Sequence, residues 1–127
     1  MKQFFTLILV FLSLLSLNAF SQARIDEVVS SLKSGNASQI AQYFDNSIEI
    51  ALPAKTSSYN KAQAEAVLKD FFTNNAVKGF QVMHKGDKAG AQFCIGTLST
   101  KGGNYRTTIF MKQKGDNQVL QEIRFEN

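Results

Sequence analysis

The chain has 127 residues, 14 of them Lys or Arg against 10 Asp or Glu, and a single Cys. One cysteine excludes an intramolecular disulfide, and the lysines between Lys55 and Lys114 never cluster into the basic stripe of a nucleic-acid binder, so nucleic acid is not an expected partner. At this length one domain with one hydrophobic core is expected.

Met1 and Lys2 precede a nearly unbroken apolar run from Phe4 to Leu17. A positive residue followed by such a run reads as a secretory signal peptide, and the run falls short of the roughly 18–20 apolar residues that span a bilayer. Ala19, Phe20 and Ser21 supply a small-x-small pattern that places the cut between Ser21 and Gln22, with a cut after Ala23 as the alternative. An uncleaved membrane anchor is the competing reading, and the length of the run opposes it. No Cys follows the run, so no lipid anchor is expected. The sequence thus predicts a cleaved signal peptide over 1–21 and a single domain over 22–127, exported to the periplasm or beyond, with no stable membrane anchor after cleavage. Cleavage removes Lys2, Phe4, Phe5, Phe11 and Phe20, so whole-chain composition overstates the core.

In the remaining chain, Ile25, Val28, Val29 and Leu32 recur at helical spacing as the apolar stripe of a short helix. Gly35 is placed to cap it in the left-handed conformation. Asn36, with Gln39 three residues on, predicts a second short helix whose buried face is Ile40, Ala41, Tyr43 and Phe44 and which Asp45-Asn46 ends. Ile48, Ile50 and Leu52 alternate with Glu49 and Ala51, a half-buried strand that stops at Pro53. Residues 54–59 read as a loop or a short edge strand. Asn60 and Gln63 form a second capping box, opening the strongest helix, with Ala64, Val67, Leu68, Phe71 and Phe72 on one side and Asn74-Asn75 as its stop.

Strands and turns fill the rest. One strand runs through Phe80, Val82 and His84, a second through Phe93, Ile95 and Thr97, a third over 105–113 and a fourth over 119–125. Loops this short require an antiparallel meander. Taking Lys101-Gly102-Gly103 and Gly115-Asp116-Asn117 as three-residue loops sets Ile95 opposite Ile109, Phe93 opposite Met111, Ile109 opposite Ile123 and Thr107 opposite Phe125. Phe93, Ile95, Ile109, Met111, Val119, Ile123 and Phe125 then share the face that the long helix covers. The other face carries Arg106, Lys112, Glu122, Arg124 and Glu126 together with Cys94, Leu98, Phe110 and Leu120. Cys94 reads as a small buried hydrophobe rather than a reactive thiol. Gly96, inside a strand, marks either a bulge or a packing concession to the helix.

The order helix, helix, strand, long helix, strand meander resembles the nuclear-transport-factor-2-like (cystatin-like) fold. This is an α+β fold in which a curved antiparallel sheet wraps one long helix, with two short N-terminal helices, and leaves a conical pocket. Tyr59-Asn60-Lys61-Ala62-Gln63-Ala64-Glu65, His84-Lys85-Gly86, Ile95-Gly96-Thr97-Leu98 and Glu122-Ile123-Arg124-Phe125-Glu126 are similar to segments of a family of small exported Bacteroidetes proteins, the domain of unknown function DUF4783. The resemblance spans the chain beyond the leader. It implies the fold and an envelope or extracellular location, and it implies no catalytic residues.

In such a cone the candidate pocket-lining residues are His84, Tyr43, Phe80, Phe93 and Met111. His84, the only histidine, falls on the helix-covered face in this register. The resemblance to the wider fold adds that its isomerases and dehydratases carry an Asp base or an Asp–His pair in the cone. A general base needs a partner that sets its pKa and tautomer; Asp45 and Glu49 are the acids nearest the first strand, and Glu49 alternates away from the core. One His and one Cys on different strands cannot close a metal site, so no metal is expected, and no phosphate loop points to a cofactor. Tyr105, Arg106, Glu122 and Arg124 fit cross-strand ion pairing more simply than a carboxylate clasp. The leading expectation is a non-enzymatic exported domain that binds a small apolar ligand or a protein partner through the cone or the exposed sheet face. Relatives of the fold dimerise through that face, which makes it a candidate for a homodimer. The alternative is an isomerase- or dehydratase-like enzyme using His84. Inhibition of cysteine proteases is set aside, because the chain has no Gln-x-Val-x-Gly wedge.

Overall fold

The computed structural model describes residues 24–127; the predicted signal peptide and both predicted cleavage points lie outside the described residues. Helix α1, over 24–34, buries Ile25, Val28, Val29 and Leu32, the stripe that its spacing predicts. Gly35 ends it at φ +66°, donating to Leu32 O at 3.1 Å while Asn36 N donates to Ser31 O at 2.9 Å. Glycine reaches this left-handed geometry without a Cβ clash. Asn36 Oδ1 accepts from Gln39 N at 3.1 Å and opens α2 (Ala37–Ala41).

Helix α2 stops earlier than its apolar spacing predicts. Tyr43 lies in the turn after it, and Phe44 is the first residue of β1 (Phe44–Leu52) rather than part of a helix face. The sheet captures the chain here: Leu120 N donates to Tyr43 O at 2.6 Å. Strand β2 (Lys55–Asn60) pairs antiparallel with β1, so 54–59 takes the edge-strand form of its two readings. Helix α3 (Lys61–Asn74) begins in a complete capping box, Asn60 Oδ1 accepting from Gln63 N at 2.9 Å and Gln63 Oε1 accepting from Asn60 N at 3.4 Å. It buries Ala64, Leu68, Phe71 and Phe72.

Strands β3 (Val77–Lys88), β4 (Ala91–Thr100), β5 (Gly103–Lys114) and β6 (Asn117–Glu126) form the predicted antiparallel meander within a six-stranded sheet of order β2-β1-β6-β5-β4-β3. Strand β1 joins β6 in parallel, the one parallel seam of the sheet. The concave side packs on the helices. Ile109, Met111, Leu120, Ile123 and Phe125 are fully buried there, and Phe125 stacks on Phe71 at 4.5 Å between ring centroids with Phe72 edge-on to it.

The register corrects the parity reading of β4. Thr100 pairs with Gly103, so the turn is the two residues Lys101-Gly102. Thr100 Oγ1 closes it, accepting from Gly102 N at 3.1 Å and donating to Gly103 O at 2.7 Å. A slip of one residue turns every side chain of a strand over. Cys94, Gly96 and Leu98 are therefore the inward set, while Phe93, Ile95 and Thr97 face out; Cys94, not Ile95, stands opposite Ile109. The β5–β6 turn is also two residues long, Lys114 pairing with Asn117. There a bulge that passes over Gln121 restores the expected pairing beyond it. Ile109 faces Ile123 and Thr107 faces Phe125 as predicted, whereas Leu120 takes the core position expected for Val119.

Gly96 matches neither of its readings as stated, since β4 runs through it in unbroken register with β5 and the bulge lies opposite it on β3. A Cβ there would lie 2.5 Å from Phe80 Cζ and 2.5 Å from Gln81 O, so the concession is to the Phe80 ring and the neighbouring strand rather than to the helix. The second of the two register shifts of β3 begins at Val82, the residue paired with Gly96.

Candidate functional site

That shift decides where His84 goes. Phe80 pairs with Leu98, Val82 with Gly96, and then Met83 is passed over and His84 pairs with Ile95. The extra residue reverses the alternation. His84 thus leaves the helix-covered face on which parity places it and stands exposed on the outer side, its ring 5.5 Å from that of Phe93. Among the described residues it forms no ion pair. Asp45 is engaged elsewhere: it accepts from Lys114 Nζ at 2.8 Å, Asn46 N at 2.8 Å and Gln121 Nε2 at 3.1 Å. Those bonds, the lysine's foremost, hold its carboxyl at about 2. Glu49 sits between buried Ile48 and Ile50, directed away from the core as its alternation predicts.

The other pocket-lining candidates do not converge either. Met111 is fully buried in the core, and Phe80 is nearly so over Gly96. Tyr43 lies beside a separate shallow cleft of about 290 Å³ with Glu27, Ser31 and Gln39. Its hydroxyl donates to Glu27 Oε2, a bond that with partial burial raises its pKa. Of the five, Phe93 alone borders the cavity between α1 and the β3–β4 hairpin.

That cavity holds about 340 Å³ between the first turn of α1 and the β3–β4 hairpin, and is lined by Ile25, Asp26, Lys85, Gly86, Asp87, Gln92 and Phe93. Hairpin pairing sets Gly86 beside Phe93 and Asp87 beside Gln92. A Cβ at 86 would meet the Phe93 ring at 2.5 Å, so any larger residue there would displace that ring. Lys85 forms an ion pair with Asp26 and so ties the hairpin to α1. Asp87 has no ion pair among the described residues. Gln92 Oε1 is buried with no hydrogen-bond partner among them. Cys94, opposite Lys85 in the hairpin, is free and fully buried; burial pushes its thiol pKa up while the Lys85 charge pulls the other way. Asp26, Lys85, Asp87 and Gln92 escape the sequence reading. Only Gln92 leaves a trace, as a polar residue in phase with Cys94 and Leu98, and that phase becomes visible once the two-residue turn is known.

The outer face of the sheet is the second surface of note. Its cross-strand rows are Phe93–Phe110–Glu122, Ile95–Thr108–Arg124 and Thr97–Arg106–Glu126. Phe93, Ile95 and Phe110 are each half-buried. Arg124 Nη1 meets Glu122 Oε1 at 3.0 Å and its Nε meets Glu126 Oε1 at 3.3 Å, so the ion pairs run along β6. At the β3 edge Met83 is 67% exposed. Among the described residues, no group of three His, Cys, Asp or Glu is placed to hold a metal, and no helix is long and apolar enough to cross a membrane.

A six-stranded curved sheet around a long helix, entered through two short helices, is the nuclear-transport-factor-2-like architecture. An NTF2-like protein of unknown function from Cytophaga hutchinsonii shares it, with a TM-score of 0.60 over 83% of this chain and 87% of that one at 8% identity, a likeness of fold alone. Crystal structures of DUF4783 family proteins are nearer. That from Bacteroides ovatus is 30% identical, with a TM-score of 0.77 over 80% of this chain and 92% of its own. That from Bacteroides fragilis is 31% identical, with a TM-score of 0.75 over 80% and 95%. The family model for the domain of unknown function DUF4783 matches residues 25–126, and the chain belongs to that family. No curated protein matches the sequence.

Proposed function

We propose that this chain is a non-enzymatic binding domain, exported to the periplasm or beyond, whose outer sheet face takes a second copy of the same chain. The observation that carries this is the make-up of that face: half-buried Phe93, Ile95 and Phe110 in adjoining rows, bordered by Arg106, Glu122, Arg124 and Glu126. A one-sided antiparallel sheet ordinarily turns polar residues to water. Three large apolar side chains in neighbouring rows call for cover, and a border holding both charge signs suits isologous pairing, in which each patch meets its own twofold image. Lys2, the Phe4–Leu17 run and Ala19-Phe20-Ser21 support export.

Light scattering on protein purified from cells that express the full chain tests the pairing, for the wild type and Phe110→Glu. The expected result is twice the single-chain mass for the wild type, and the single-chain mass with an unchanged circular dichroism spectrum for the variant. A wild type with the single-chain mass at every accessible concentration overturns the reading.

A further inference from the structure

We infer that the cavity between α1 and the β3–β4 hairpin binds a small organic amine with an apolar body, a site that shares Phe93 with the pairing face and otherwise rests on residues that face does not include. The wall dictates that chemistry. Ile25 and Phe93 offer an aliphatic and an aromatic surface. Of the charged groups there, Lys85 is engaged with Asp26, which leaves the Asp87 carboxylate as the charge no described cation answers. Gln92 adds a carbonyl oxygen that is buried without a donor.

A buried acceptor with no donor is costly, and an N–H delivered to it removes the cost. An ammonium group meets three needs in one place: a donor for Gln92 Oε1 after a rotation of the amide, a counter-charge for Asp87, and a cation for the Phe93 ring. An anionic ligand meets a carboxylate and an orphan acceptor instead. A wholly apolar ligand leaves that acceptor unsatisfied and strips water from Asp87. The volume of about 340 Å³ suits a molecule of metabolite size.

The test is a ¹H–¹⁵N nuclear magnetic resonance titration of protein purified from cells expressing the full chain, with tryptamine and indole-3-propionate as probes. They share a ring and differ in the sign of the charge. Tryptamine is expected to shift the amides of Asp26 and of residues 86–93 saturably, and the acid is not. Asp87→Asn, at an exposed position, is expected to weaken tryptamine binding about tenfold, the loss of one charge-assisted contact. Gln92→Leu is expected to weaken it too, while raising stability by removing the orphan acceptor; a merely structural Gln92 gives the stability gain with unchanged binding. No saturable shift, equal binding of the two probes, or undiminished binding by Asp87→Asn or by Gln92→Leu overturns the inference. Self-association of Asp87→Asn is expected to match the wild type, so the two proposals fail separately.

Discussion

Adding one methyl group at Gly96 puts the curvature of the sheet under test. The new Cβ would sit 2.5 Å from both Phe80 Cζ and Gln81 O, where ordinary contact begins at 3.4 Å, so 3.4 − 2.5 = 0.9 Å must be found on two sides at once. Gln81 O belongs to the backbone of the adjacent strand and cannot swing aside. The Phe80 ring can rotate out, but it is 7% exposed, and giving up that burial costs about 1.5–3 kcal/mol. Holding the ring in place strains the core by about 1–3 kcal/mol instead. The cheaper route sets the loss for Gly96→Ala at about 1–3 kcal/mol, a sizeable share of the 5–15 kcal/mol that holds a typical domain together. Urea unfolding followed by circular dichroism measures it. Gly79→Ala, next to Phe80 in the same strand, is the control: nothing lies within 4 Å of its Cβ, and a change within about 0.5 kcal/mol is expected. A Gly96→Ala protein within about 0.5 kcal/mol of wild type, or a control that loses as much, refutes the packing described around Gly96 and Phe80.

Asp45→Asn is expected to cost about 1–2 kcal/mol at neutral pH, because it removes the charge from a carboxylate bonded to Lys114, Asn46 and Gln121. Its folded pKa of about 2 lies below the ordinary 3.8, so the charged form stabilises the fold in full above that ordinary value, and the gain disappears as pH falls through 2. Melting curves of the two proteins should therefore converge on acidification; a gap at pH 2 as wide as that at neutral pH contradicts the role given to Asp45. Export predicts that mass spectrometry of protein recovered from the periplasm or medium finds a chain starting at Gln22, or at Arg24 for the alternative cut. A chain that keeps Met1 in the membrane fraction counts against it.

The helices were legible because their signals are local. The stripe Ile25, Val28, Val29 and Leu32 and the box at Asn60 and Gln63 each lie within a turn or two of chain. Tyr43 and Phe44 misled because apolar spacing says nothing about the hydrogen bond from Leu120 that draws the chain into the sheet. Strand order in the meander follows from short loops, whereas facing depends on loop length to the residue. A three-residue turn in place of Lys101-Gly102 inverts β4, which is why spacing alone puts Phe93 and Ile95 on the helix-covered face. The bulge at Gln121 offsets the equally short β5–β6 turn, so Ile109, Ile123 and Phe125 keep the pairings that a three-residue turn predicts. The bulge at Met83 moved His84 out of the cone in the same way. The cavity joins residues of α1 to a hairpin 60 positions further along the chain, a meeting that no local pattern records; the Lys85–Asp26 pair has a separation of 59.

Thiol labelling of Ile95→Cys probes the facing of β4 and its partner together. Cys94 is buried and should stay unmodified beside it, an internal reference for each sample. In dilute protein one thiol per chain is expected to react with a maleimide, at a rate that falls as concentration rises and the sheet faces come together. A position-95 thiol that is inert even when dilute would place it in the core, and a rate independent of concentration would leave that face without its second copy.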